Sequence, residues 1–169
     1  LACDIVAAGS KKALTSIRPG ESRVFVNLHE TYPGDFTRAV DFTLPTRRLV
    51  SAIEERAGKA RVRFVEAQRL ATALLGDAIA TNMFMVGFAW QLGGLPLTHA
   101  SILEAIRLNG VETEMNIAAF EWGRAAAHEL GPRRAPLGTA DDREDNEHPL
   151  VGLIDAMRPS AVAFGVMPI

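Results

Sequence analysis

Cysteine is nearly absent: it occurs once in 169 residues, as Cys3. One thiol closes no internal disulfide, and this chain alone can hold no iron–sulfur cluster or thiolate zinc site. A reducing, cytoplasmic setting is the expectation, with Cys3 serving as a small core residue. Excess charge of either sign is also missing. Eighteen Lys and Arg stand against twenty Asp and Glu, a net charge of −2, so there is no electrostatic case for nucleic acid. The longest apolar run, residues 83–90, is too short to span a bilayer, and no basic-then-apolar leader opens the chain. Neither nucleic acid nor membrane is an expected partner. What remains is 48% hydrophobic and 22% charged, the profile of a soluble globular protein with room for one sizeable core.

The order of elements points to an α/β fold. Residues 4–8 (DIVAA) read as a short buried strand closed by Gly9-Ser10, with Ser10 placed to cap a helix over residues 11–17. Residues 23–28 (RVFVNL) are a second strand, residues 29–37 (HETYPGDFT) a polar loop, and residues 41–44 a short edge strand. Residues 46–57 form an amphipathic helix through Leu49, Val50 and Ile53, stopped by Gly58. Residues 61–65 are a third strand. This alternation implies a parallel, Rossmann-like sheet with right-handed crossovers.

A C-terminal helical cluster follows. A short helix over residues 68–75 stops near Gly76, and Asp77 caps the next, which ends at Gly93-Gly94. From Ala78 to Leu92 the strongly polar residues are Thr81, Asn82 and Gln91, so this helix has no polar face of useful width and must be buried. Its Met83, Phe84, Met85, Phe88 and Trp90 suit a core or a subunit interface equally. Thr98 caps a third helix ended by Asn109-Gly110, and residues 112–129 form a fourth. Residues 131–149 (GPRRAPLGTADDREDNEHP) lack periodicity and read as a flexible linker. The domain organisation is therefore a partial domain over 1–130, a flexible linker over 131–149, and a C-terminal docking segment or tail over 150–169, with a short helix at 151–157.

Several residues are candidates for chemistry. The loop carrying His29, Glu30, Gly34, Asp35, Phe36 and Arg38 follows a strand, so it belongs at the carboxyl edge of an open α/β sheet, where ligands and partners bind. The alternative is a rigid turn built by Pro33-Gly34, with Asp35 bonding local backbone. His29-Glu30 lacks a second histidine four residues on, which removes a zinc-hydrolase reading. Gly9, Ser10 and Lys11 sit where a strand passes into a helix and form a candidate anion site; without the multi-glycine phosphate signature, simple capping by Ser10 competes. Asn82 and Asn116 lie in apolar helical surroundings, and a buried amide without partners costs about 1–3 kcal/mol, so each should be hydrogen-bonded. His99, His128 and His148 fall on polar surfaces and read as solvated. No spacing supports a Ser-His-Asp set, no metal site is expected, and no residue is assigned direct catalysis.

The run from His29 to Arg38 resembles the gamma domain of indolepyruvate:ferredoxin oxidoreductases, the 2-oxoacid:acceptor oxidoreductases acting on aryl pyruvates. Residues 4–12 and 69–77 are similar to the same family. So are Leu108-Asn109-Gly110, Glu114-Met115-Asn116, Ala119-Phe120 and Trp122-Gly123-Arg124, and the resemblance covers roughly residues 3 to 128 in order. It implies a part in oxidative decarboxylation of an aryl pyruvate to an acyl-CoA, with electrons leaving through iron–sulfur clusters to ferredoxin. Thiamine diphosphate, Mg²⁺ and the clusters would be held by partner domains or subunits, none by this chain, which would be inactive alone. Neither Gly34-Asp35 nor Gly76-Asp77 continues into the Gly-Asp-Gly and later Asn-Asn that hold Mg²⁺ and diphosphate. The family's glycine-rich strand-turn-helix start would lie before Leu1, so the sequence resembles the second part of that domain. A non-catalytic α/β binding or dimerisation module sharing only the fold is the competing reading, and a homodimer through the apolar helix is compatible with both.

Overall fold

Two four-residue runs, VFVN and VRFV, form strands β1 (Val24–Asn27) and β2 (Val62–Val65) and pair in parallel, Val24 opposite Val62 and Asn27 opposite Val65. Three residues of each strand are buried, as a parallel sheet covered on both faces requires. The computed structural model describes residues 1–29, 46–131 and 147–165. They divide into a first unit, Leu1–Val65, and a second, Glu66–Ile169. The expected edge strand at 41–44 lies outside the described residues.

The first unit is mixed α/β. Residues 4–8 are helical rather than a strand: α1 (Ile5–Ala8) is a single turn. The reason is Asp4, whose carboxylate accepts the Ala7 N–H at 2.8 Å and caps the turn, satisfying a donor that a strand would have offered to a neighbour. Strand-like pairing falls earlier, at Ala2. Its N–H donates to the Phe25 carbonyl at 2.8 Å and its carbonyl accepts the Asn27 N–H at 2.9 Å. Ser10 caps α2 (Lys11–Ser16) through the Ala13 N–H. Helix α3 (Thr46–Ala57) has the expected bounds and buries Val50, Ile53 and Ala57 along one face. Gly58, at φ +92°, ends it in a conformation that side chains resist.

The second unit is helical: α4 (Ala67–Leu75), α5 (Thr81–Gln91), α6 (His99–Asn109), α7 (Thr113–Leu130) and α8 (Glu147–Ala163). Helix α4 buries Ala67, Leu70, Ala71 and Leu74, the spacing of one helical face. The Asp77 carboxylate accepts the Ile79 N–H at 2.8 Å and starts a short 3₁₀ turn that leads into α5. Helix α5, apolar all round, buries Phe84, Met85, Phe88 and Ala89. It crosses α7 at two glycines. A Cβ on Gly87 would lie 1.9 Å from the Phe120 carbonyl oxygen, and one on Gly123 would lie 2.0 Å from that of Phe84. Backbone touches backbone there, which a side chain on either helix would prevent. Ile102 and Ile106 of α6 join Phe120 in an apolar cluster against Met83, Val86 and Trp90.

Helix α8 corrects two expectations. It begins at Glu147, inside the stretch read as a linker, and runs 17 residues rather than seven. The misleading signals are Pro149, which a first helical turn tolerates, and Pro159, which this helix carries in its interior. No helix among the described residues is long and apolar enough to cross a membrane.

Candidate functional site

Strand β1 delivers His29 to its carboxyl end, where the sequence placed the candidate loop; Glu30, Gly34, Asp35, Phe36 and Arg38 lie outside the described residues. The residue that holds the start of this loop is Asn27, fully buried. Its side-chain amide donates to the Cys3 carbonyl at 3.0 Å, and its side-chain oxygen accepts the His29 N–H at 3.3 Å. One amide thus ties the Ala2 segment to the loop's first residue, and it meets the demand that a buried amide find partners. Sequence reading passed over Asn27 because it ends an otherwise apolar strand; a lone polar residue in that position was the available signal.

Gly9 and Ser10 make local hydrogen bonds, and Lys11 is the exposed first residue of α2. The Gly9 N–H donates to the Ile5 carbonyl at 2.9 Å, the Ser10 N–H to the Ala7 carbonyl at 3.3 Å, and the Ser10 hydroxyl caps α2. A Cβ on Gly9 would lie 2.6 Å from Leu49 Cδ2, so that methyl would have to turn aside. Cys3 is exposed rather than in the core, because it follows the pairing residue Ala2 and precedes the cap of α1. Partial desolvation holds its thiol above the ordinary value, against the lowering effect of the terminal ammonium, so it is a poor thiolate nucleophile.

The second unit assembles a cluster that no local motif announced. Glu121 of α7 is buried, its side chain 4% exposed, and is clasped from two sides. Arg124, one turn on, pairs with Oε2. The first residue of α6, His99, brings Nε2 to 2.6 Å from Oε1. Arg124 Nη1 also lies 3.2 Å from His99 Nε2. One ring nitrogen cannot donate to the carboxylate and accept from the guanidinium together, and the shorter, charge-assisted contact assigns the proton on Nε2 to Glu121. Arg124 Nε donates to Gln91 Oε1 of α5 at 3.0 Å.

Aromatic rings enclose the cluster. The guanidinium carbon of Arg124 lies 5.1 Å from the Trp90 ring centre and 4.0 Å from that of Phe164, just past α8. A cation between two ring faces is electrostatically favoured. Trp90, His99 and Phe120 stand with ring centres 5.6 to 5.8 Å apart, and the Trp90 indole donates to the Leu97 carbonyl at 2.7 Å. The network joins α5, α6, α7 and the end of α8. Its chemistry is that of a buried carboxylate held from two sides, which orients the His99 ring. Among the described residues no group of three His, Cys, Asp or Glu is placed to hold a metal ion.

The remaining candidates are dispersed. Asn82 is exposed, although Ala80 and Thr81 just before it are buried. Asn116 donates to the Val111 carbonyl at 2.9 Å, a bond from helix to preceding loop. His99 is a network member rather than a solvated side chain, for the reason given above. His128 is 61% exposed on its side chain but lies 3.2 Å from Glu129 Oε1 and 3.3 Å from the Ser160 hydroxyl.

Comparison with known proteins follows the chain across both units. The family model for pyruvate ferredoxin/flavodoxin oxidoreductase matches residues 2–126. Indolepyruvate oxidoreductase subunit IorB of Methanothermobacter thermautotrophicus is 32% identical over 111 residues, covering 64% of this chain and 55% of that one. The chain therefore spans about half the length of this curated relative. No solved structure shows significant similarity. The family match takes in β1, the candidate loop, the α5–α7 crossing and the Glu121 network, and it stops before α8.

Proposed function

Because this chain belongs to the pyruvate ferredoxin/flavodoxin oxidoreductase family, we propose that it is the gamma-type part of a 2-oxoacid:ferredoxin oxidoreductase acting on aryl pyruvates such as indolepyruvate. In this role it supports oxidative decarboxylation to an acyl-CoA, and the two electrons released pass through iron–sulfur clusters to ferredoxin. One observation carries the reading: similarity to an indolepyruvate oxidoreductase subunit over 111 residues, within a family match that spans both units.

Thiamine diphosphate, Mg²⁺ and the clusters belong in this reading to partner domains or subunits. The residues support that assignment, since the chain has one cysteine and neither of its Gly-Asp pairs continues into a diphosphate-binding motif. Its own contribution is packing surface and the His29 loop at the carboxyl edge of the sheet, which faces the partner. It acts in the cytoplasm, where a single unpaired thiol is stable, and is inactive alone.

The test is reconstitution. The chain, in its full natural length, is mixed with thiamine-binding and iron–sulfur partner subunits from the same source, and CoA-dependent reduction of ferredoxin is followed with indolepyruvate and with pyruvate. Activity is expected only in the mixture and is greater with indolepyruvate. A mixture that forms no complex, or a complex that oxidises neither substrate, would overturn the proposal in favour of a binding or dimerisation module.

A further inference from the structure

We propose that α8 with Phe164 is a strap that opens as a unit from α7, and that its position controls access to the guanidinium of Arg124. Four observations carry this. First, α8 lies beyond the family match, which ends at residue 126 within α7. Second, its apolar anchorage over residues 152–165 rests on two side chains. From residue 152 to 165 the buried side chains are Met157 and Ala161, while Val162 is 57% exposed. Its charged pair, Arg158 and Asp155 at 3.2 Å, joins α8 to itself rather than to α7.

Third, what fastens the strap is a polar and aromatic latch at its last turn. The Ser160 hydroxyl donates to Glu129 Oε1 at 2.7 Å. Phe164 lies 4.0 Å from the Arg124 guanidinium carbon, with the His128 ring edge-on at 6.4 Å. Such contacts form and break without opening a core, because water can replace each of them. Fourth, α8 is a weak helix. Gly152 and Pro159 lie within it, and proline leaves the Asp155 carbonyl without its usual helical donor. Docked, the strap leaves the Arg124 side chain 13% exposed; lifted, it removes the ring from the guanidinium.

Amide hydrogen exchange on the full chain, read peptide by peptide in low urea, tests the strap. Amides of α8 are expected to exchange at least 100-fold faster than those of α5 and α7, with an opening that shows little urea dependence. Phe164→Ala should raise α8 exchange at least tenfold and speed phenylglyoxal modification of Arg124 in parallel, while α5 and α7 remain far better protected than α8. Should Phe164→Ala unfold the unit, seen in the fluorescence of Trp90 and Trp122, the milder Ser160→Ala decides by the same two readouts. Concerted exchange of α8 with α7, or Arg124 modification that ignores the latch variants, would overturn the proposal.

Discussion

Replacing Gly87 or Gly123 with alanine tests the α5–α7 crossing, because two well-understood effects then oppose each other in sign. In an exposed helix interior, glycine to alanine stabilises by about 0.8–1 kcal/mol. Here the new Cβ would lie 1.9 Å from the Phe120 carbonyl oxygen at position 87, and 2.0 Å from that of Phe84 at position 123. An ordinary carbon–oxygen contact is about 3.3–3.6 Å, so the helices must part by roughly 1.4 Å. A carbonyl within a helix cannot rotate aside, and a gap of that width forfeits about half of the dispersion energy along the seam. Overpacking of this kind costs about 1–3 kcal/mol and more where backbone must move, so the upper end applies. After subtracting the gain in propensity, each variant should lose about 2 kcal/mol or more. For a chain of this length that lowers the melting temperature by roughly 4–8 °C. Both tryptophans, Trp90 and Trp122, lie in α5 and α7, so their fluorescence during thermal and urea unfolding reports the unit that holds the crossing. Gly152→Ala in α8 is the control: nothing lies within 4 Å of its added Cβ, and it should gain up to about 1 kcal/mol. If Gly87→Ala and Gly123→Ala raise the midpoint as Gly152→Ala does, the close crossing is refuted.

Arg124→Ala strands the buried Glu121 carboxylate without its cation and should cost about 3–5 kcal/mol in urea unfolding. His99→Ala, removing a ring that is 37% exposed, should cost about 1 kcal/mol or less; equal losses would show that His99 holds Glu121 as firmly as Arg124 does. Hydrogen bonds from Ser160 and then from His128 hold Glu129 below the ordinary carboxyl range. Its folded pKa is thus depressed, so the stability it supplies is present above the unfolded value of about 4.3 and is lost as pH falls through the folded one. Exchange in α8, corrected for intrinsic rates, should therefore rise on acidification below that value, and Ser160→Ala should flatten the rise; an unchanged slope would remove Glu129 from the latch. Glu112 is exposed at φ +42° just before α7, a left-handed conformation that costs an L residue about 1–2 kcal/mol. Glu112→Gly should raise the midpoint by an equivalent of about 1 kcal/mol, and a lower midpoint would show that the side chain contributes more than the strain.

Much of this protein follows from signals that act within a turn or two of chain. Ser10 and Thr98 cap the helices they were expected to cap, Asp77 caps the 3₁₀ turn ahead of α5 rather than α5 itself, and α3 runs from Thr46 to Ala57 with Val50, Ile53 and Ala57 buried. Gly76 and Gly110 take the left-handed conformation at helix ends, since glycine alone adopts it without strain. The apolar circumference of α5 dictated burial whatever its neighbours were. The family too was legible, because ordered similarity over more than a hundred residues survives uncertainty in any single element. Local reading erred where a side chain close in sequence competed with the pattern, as Asp4 did by turning an apolar run into a helical cap. Tertiary structure decided what depends on which faces meet. His99 reaches Glu121 across 22 positions and Gln91 reaches Arg124 across 33, and no periodicity encodes those distances. The Glu121–Arg124 spacing was visible in the sequence as a one-turn ion pair, but its burial was not. Nor could Gly87 and Gly123 be told from weak points of two helices until the chain brought each against the other's backbone, because close approach is a property of two surfaces and is written in neither alone.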